Sequence, residues 1–497
     1  MESGAMRVTR DSRSSVCAVV IAALFFVSPN ARADSPPITK NDFALEFYQG
    51  PLVAPTRVIG LGGAYTALAE GVESTAANAA GPAVREAFSH EWLDYDVDLD
   101  VGFPGFNDYI GTDFNNRGPK GNALTLDRVS NFIYLHAGAQ VQLGYFGASV
   151  SAELLRYTLS SAAAGKPGLS MQYGRFHALA AYGFKDDQLV LGGGLRAISL
   201  QVTQEGGGIL NGQTLLTMTG ASPEVGALIR PNNERWRVGT TLRFPVSGSG
   251  IGSNTTNTDG NGVHSAGSFI LPQRVVMPWE LDVGFALQLG PRPLNPPWIN
   301  PHEHEAPVRK DIDDARAARE VHRQERLREL PVAERKRWDD FWLLQEHAIR
   351  EVEKAHLEAE SERLLAERKA RFENWPRQRI LLLGSLLMTG ASDSAVALEG
   401  FFDQRRELVG RNVSFSPRMG IEAEPVINWV VVRVGSYIEP SRFSDGFFRQ
   451  HFTFGGDVKL AYFSPFHIFG DQIWRISTYA DVAPRYTNWG LAIGGWH

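Results

Sequence analysis

Leu93-Asp94-Tyr95-Asp96-Val97-Asp98-Leu99-Asp100-Val101 places an apolar residue at every odd position and an aspartate at every even one. Successive side chains of a strand point to opposite faces, so this period of two makes one face of the ribbon apolar and the other acidic. Trp279, Leu281, Val283, Phe285, Leu287 and Leu289 repeat the device against Glu280, Asp282 and Gln288. So do Trp236, Val238, Leu242 and Phe244 against Arg237, Thr241 and Arg243, and Phe452, Phe454, Val458, Leu460 and Tyr462 against Asp457 and Lys459. Soluble sandwiches alternate too, but their strands average only about five or six residues. Longer alternating strands with a charge-dense polar face predict an all-β fold, an antiparallel transmembrane β-barrel with its apolar side toward lipid and a wet lumen.

The pattern predicts a 14-stranded barrel, with strands near 91–101, 130–142, 145–157, 171–184, 188–202, 216–230, 235–246, 275–289, 378–390, 412–424, 428–438, 450–463, 472–482 and 487–496. An even count is what a single-chain bacterial barrel normally has. The connections at 142–145, 185–187, 231–234 and 425–428 are short, whereas 102–129, 203–215, 247–274 and 391–411 are long. Short turns belong on the periplasmic side and long loops outside, which gives an outer-membrane location of Gram-negative type with both termini periplasmic.

Composition agrees. Of 497 residues 43% are apolar and 10% aromatic, 50 are glycine, and mean hydropathy is −0.18, so neither a disordered chain nor a bundle of membrane helices fits. Arg7, Arg10 and Arg13, the apolar stretch Val16–Val27 and the small-x-small site Ala31-Arg32-Ala33 read as a signal peptide over 1–33. The one cysteine, Cys17, lies within it. The remaining chain then has no thiol, which excludes disulfides, Cys-zinc sites, Fe–S clusters and thiol nucleophiles. Net charge of −6 offers nothing to nucleic acid.

Between barrel segments 90–290 and 377–497 lies an insertion, 291–376, of different character. Residues 301–375 hold 19 acidic and 16 basic side chains. Pro331 divides them into predicted helices at 311–329 and 332–373, and strand parity makes this a charged α-helical periplasmic insertion. Phe341, Leu344, Ala348, Val352, Ala355 and Ala359 follow heptad-like spacing, which suits either a docking face for a periplasmic protein or a hairpin packing on itself. His302-Glu303-His304-Glu305, bracketed by Pro301 and Pro307, reads as a solvated linker, and no metal site is expected.

Residues 34–89 precede the barrel and contain Arg57-x-x-Gly60-x-Gly62-Gly63-Ala64-x-x-Ala67, Glu70-Gly71 and Asn78-Ala79-Ala80-Gly81. A dinucleotide loop fails here, because Tyr65 stands where a third glycine is needed. The stretch resembles the opening of the long-chain fatty acid transporter (FadL-like) outer-membrane proteins, which include aromatic-hydrocarbon uptake channels. The hairpins 180–195 and 223–239 also look like that family's strands. Ala79 stands where the family usually has proline, and Gly71 where it usually has a second acid. The resemblance implies an N-terminal hatch over 34–89 plugging the barrel and passage of hydrophobic molecules. The C-terminal run Trp489–Trp496 resembles a barrel-assembly signal, with His497 following the aromatic on which such signals usually finish.

A fatty-acid cargo needs an apolar groove and a cation for its carboxylate. Strand parity turns Arg175, His177, Arg243, Arg418 and Arg475 to the lumen and leaves Arg156 at the rim. Arg175, His177, Arg243 and Arg418 are candidate ligand contacts, and Tyr65 is a candidate for either ligand or hatch. Arg57 and Asn78, with Gly60, Gly62 and Gly63, are candidate hatch anchors. Glu153, Glu280, Asp282, Glu422, Glu424 and Asp457 also face inward and could pair with every one of these arginines. No hydrolase elbow, zincin helix or phosphate loop occurs, and no cofactor is expected. The expected function is passive uptake of hydrophobic small molecules by a monomeric barrel rather than an enzyme. The alternative is a scaffold whose periplasmic helices recruit a partner.

Overall fold

The computed structural model describes residues 35–47, 50–86, 89, 91–103, 113–117, 128–160, 168–205, 213–249, 257–376, 378–443, 447–463 and 472–496. Residues 1–34, over which the signal peptide is expected and which include Cys17, and His497 lie outside these. Fourteen antiparallel strands form a closed barrel. They are β1 (Leu93–Phe103), β2 (Arg128–Leu143), β3 (Phe146–Ser160), β4 (Leu169–Phe184), β5 (Leu189–Gln204), β6 (Gln213–Ile229) and β7 (Trp236–Arg243). The second half comprises β8 (Glu280–Leu289), β9 (Ile380–Thr389), β10 (Ser414–Val426), β11 (Val430–Pro440), β12 (Phe448–Phe463), β13 (Gln472–Ala483) and β14 (Tyr486–Gly495). β1 closes onto β14 with Asp98 opposite Gly494. Strand β8 is shorter than the pattern predicts. Pro278 lacks the N–H a ladder needs, and Arg274–Met277 leaves the wall to pair with Ala44–Glu46.

The exterior carries the apolar residues of the alternation, among them Val150, Leu154, Leu195, Phe285 and Phe454, each about half exposed to what surrounds the barrel. Toward the long connections the alternation changes phase. On β4 the outward residues Ala178 and Phe176 give way to Gln172 and Ser170, while the inward ones change from His177 and Arg175 to Tyr173, Met171 and Leu169. The same inversion puts Leu155, Tyr157 and Leu159 of β3 and Ile198, Leu200 and Val202 of β5 inside. The sequence pattern predicts a lumen that is polar throughout, and the structure departs from it with an apolar layer toward the long connections. Strand ends standing clear of an apolar surrounding meet water outside, and their inner faces become a core.

Residues 36–86, where the hatch is expected, run through the barrel from one end to the other. Ala44–Glu46 pairs with Arg274–Met277 and touches Val396 at the long-connection end. The chain then passes through α1 (Thr56–Gly60) and two short 3-10 turns to Arg85, whose Nε donates to the carbonyl of Gly144 at a short turn, 3.0 Å away. Pro37 bridges to Arg405, within the long connection between β9 and β10.

The insertion is two helices, α2 (Pro301–Glu329) and α3 (Val332–Glu373). Helix α2 starts ten residues earlier than predicted, because the Asn300 side chain caps the His302 N–H and Pro301 occupies the first helical position. His302–Glu305 is thus a helical turn rather than a linker, with His302 stacked on Trp92. The heptad seam does not join the helices: Phe341, Leu344 and Val352 are 57%, 72% and 70% exposed. Arginines of α2 instead face acids of α3, with Arg319 to Glu346 and Glu353 at 2.9 and 2.7 Å and Arg323 to Asp339 at 2.6 Å.

Candidate functional site: a plugged lumen in three layers

Nearest the long connections is the apolar layer. Its walls are the inner faces of β3, β4 and β5, and its filling is the hatch's own Phe43, Leu45, Phe47 and Val53. The ring of Phe47 lies 4.6 Å from that of Tyr173. Packed aromatic and aliphatic side chains of this kind form the lining that apolar small molecules bind.

Beneath it runs a layer of cross-strand ion pairs. Arg175 opposes Glu153 in the ladder and its Nε donates to Oε1 at 3.1 Å, while its Nη2 donates to the carbonyl of Val53 at 3.0 Å. His177 Nδ1 is 2.6 Å from Glu224. Arg243, opposite both Glu224 and Glu280, lies 3.4 Å from the former and donates to the hatch carbonyls of Ala76 and Ala77 at 2.7 and 3.0 Å. Arg196, inward but absent from the sequence candidates, reaches Glu280 at 3.0 Å. Directly opposed charges of opposite sign are the stable arrangement on one face of a sheet.

The third layer joins residues 57–78 to the barrel wall. Arg57 pairs with Glu422 at 3.2 Å and Glu70 at 3.4 Å, and Arg237 pairs with Glu70 at 2.8 Å. Arg433 links Glu422 to Asp457, and Arg475 links Asp457 to Glu73. All of these except Glu73 border a small polar cavity of about 20 Å³, which Trp496 also lines. Asn78 donates to the hatch carbonyl of Thr66 at 2.7 Å and to the wall carbonyl of Ala227 at 3.4 Å. Gly62 and Gly63 hold φ of +62° and +76°, a turn that brings the hatch backbone against Met419 and Ser436, and Gly60 lies against Gly455.

The ligand candidates thus divide. Arg175, His177 and Arg243 sit together at the floor of the apolar layer. Arg418 lies apart, 3.8 Å from Asp282 and 3.5 Å from the Gly63 carbonyl. Tyr65 is fully buried inside the hatch and donates to the Glu70 carbonyl at 2.7 Å. Burial lifts its phenol well above the usual range, against the pull of Arg57. The apolar lining at 155–159, 169–173 and 198–202 escaped the sequence reading, although its signal was the change of phase within single strands.

No family model and no curated protein matches the chain. Among solved structures it is similar to the toluene transporter TbuX of Ralstonia pickettii, at 10% identity over 90% of this chain and 98% of that one, with a TM-score of 0.45. The CymD monoaromatic hydrocarbon channel is similar at 10% identity over 90% and 97%, with a TM-score of 0.46. A FadL homologue of Pseudomonas aeruginosa is similar at 9% identity over 93% and 99%, with a TM-score of 0.45. At such identities no site residue is carried over from them.

Proposed function

We propose that this barrel lies in an outer membrane and admits hydrophobic small molecules passively, taking them up at the long-connection end and releasing them once the hatch shifts. The observation that carries this reading is the apolar layer inside the lumen, closed by Phe43, Leu45, Phe47 and Val53 of the chain itself. The floor of that layer favours uncharged cargo. Arg175, His177 and Arg243 each face a buried glutamate, so a fatty-acid carboxylate would have to displace Glu153 or Glu224, whereas a neutral hydrocarbon displaces no charge. Arg418 and Tyr65, paired elsewhere, position the hatch in this scheme.

Uptake by cells with and without the gene tests it, with a neutral aromatic and a long-chain fatty acid as cargoes. Loss of uptake in the deletion, larger for the aromatic, is expected, and restoration by a chain lacking 300–375 is expected too. Undiminished uptake of both cargoes by the deletion strain would overturn the reading.

A further inference from the structure

Strand β1 turns Asp98 and Asp100 inward, and the ladder sets His136 of β2 directly opposite Asp100. Donor atoms of the three side chains lie within 4.8 Å of one another, and the residues are 5%, 1% and 0% exposed. Their hydrogen bonding is incomplete. Asp100 accepts from the Thr56 N–H at 2.7 Å and sits 2.8 Å from His136 Nδ1, but His136 Nε2 and Asp98 Oδ1 have no partner among the described residues. Glu73 Oε2, beside them on the hatch, has none either. The guanidinium facing Asp98 is that of Arg475, 3.4 Å away, and it also serves Glu73 and Asp457. Buried carboxylates in excess of their cations are neutralised either by a bound cation or by a shared proton.

We propose that Asp98, Asp100 and His136 bind one divalent transition-metal ion, which fastens the hatch to the barrel wall. Two carboxylates and an imidazole suit zinc or manganese better than calcium or magnesium, which favour oxygen donors alone. Ligation through Asp100 and His136 Nδ1 would replace their present 2.8 Å contact with bonds to the ion. The same Asp100 accepts the first N–H of α1, and Arg475 joins Asp98 to Glu73, so the ion would hold the hatch at two points. This site does not depend on the transport reading.

The test uses full-length protein in detergent, without an affinity-tag histidine run, stripped with EDTA and titrated with Zn²⁺, Mn²⁺ or Ca²⁺ singly. Metal content, melting temperature and protease cleavage within the hatch are read. Saturable binding of about one equivalent of Zn²⁺ or Mn²⁺, a higher melting temperature and slower hatch cleavage are expected. Asp98→Asn and His136→Gln should each weaken binding at least about tenfold. Three outcomes overturn the proposal: no saturable binding by folded wild type, binding that His136→Gln retains in full, or a preference for Ca²⁺. An Asp98→Asn variant that melts higher than metal-free wild type while wild type binds no metal would assign a shared proton instead. Should Asp98→Asn not fold, wild type and His136→Gln still decide the matter.

Discussion

Two wall glycines set how closely the hatch can lie. A Cβ at Gly192 would stand 2.0 Å from the Ala79 carbonyl oxygen, and one at Gly226 would stand 2.2 Å from Asn78 Oδ1. Gly192→Val and Gly226→Val should therefore push this part of the hatch off the wall at a cost of about 1–3 kcal/mol, while leaving the ladder closed. Faster protease cleavage within 66–84 in the folded barrel is the expected readout, and unchanged cleavage in both variants would refute the close fit. Glu399 makes the second residue-scale case. It is buried in α4 (Leu398–Phe402), and Asn115 Nδ2 donates to its Oε1 at 2.5 Å. Burial pushes its carboxyl up to about 7, with Arg117 opposing. Because the folded pKa exceeds the unfolded value of about 4.3, the fold holds the proton. Stability is greatest below about pH 4.3 and falls by of order 3 kcal/mol as pH rises to 7. Glu399→Gln should abolish that slope, so its melting temperature should exceed that of wild type by a margin that widens from pH 5 to pH 8. A margin constant with pH would count against the assignment.

Among the elements, the strands and the insertion follow different physics. The outward apolar row of β4 ends near Phe176 and the inward apolar row begins at Tyr173, so one sixteen-residue strand spans two environments. This switch fixes the depth of the charged floor without any long-range information. The helical hairpin owes little to apolar contact. Asp339, Glu346 and Glu353 recur every seventh residue on α3 and meet Arg323, Arg319 and Arg316 of α2. Exposed ion pairs contribute about 0.2–1 kcal/mol each and are screened by salt. Hydrogen exchange in 311–329 should accelerate between low and about 1 M salt, and Arg319→Met should loosen the hairpin by about 1 kcal/mol. Salt-independent exchange would show that something other than charge joins the helices.

At the scale of the molecule, the barrel and the plug compete for the same space, since the side chains closing the apolar layer belong to residues 43–53. Replacing Phe43 and Phe47 with alanine should raise the uptake of a neutral aromatic by roughly two- to tenfold, because it removes apolar filling that cargo must displace. Lower uptake by a stably folded double variant would mean that these rings serve cargo rather than exclude it.

The sequence by itself determined the closed antiparallel wall, its strand number, the outward apolar face and the separate charged insertion. Each of these follows from local periodicity or composition, which a strand or helix expresses wherever it stands. The hatch was legible only through its resemblance to a known family, and the inward arginines only as a set. Which glutamate each arginine meets, that Phe43 to Val53 fill the upper lumen, and that Asp98, Asp100 and His136 share one buried space were decided by the tertiary structure. Those pairings join residues tens to hundreds of positions apart, and a period-two pattern specifies which face a side chain takes without specifying what stands opposite it across the lumen.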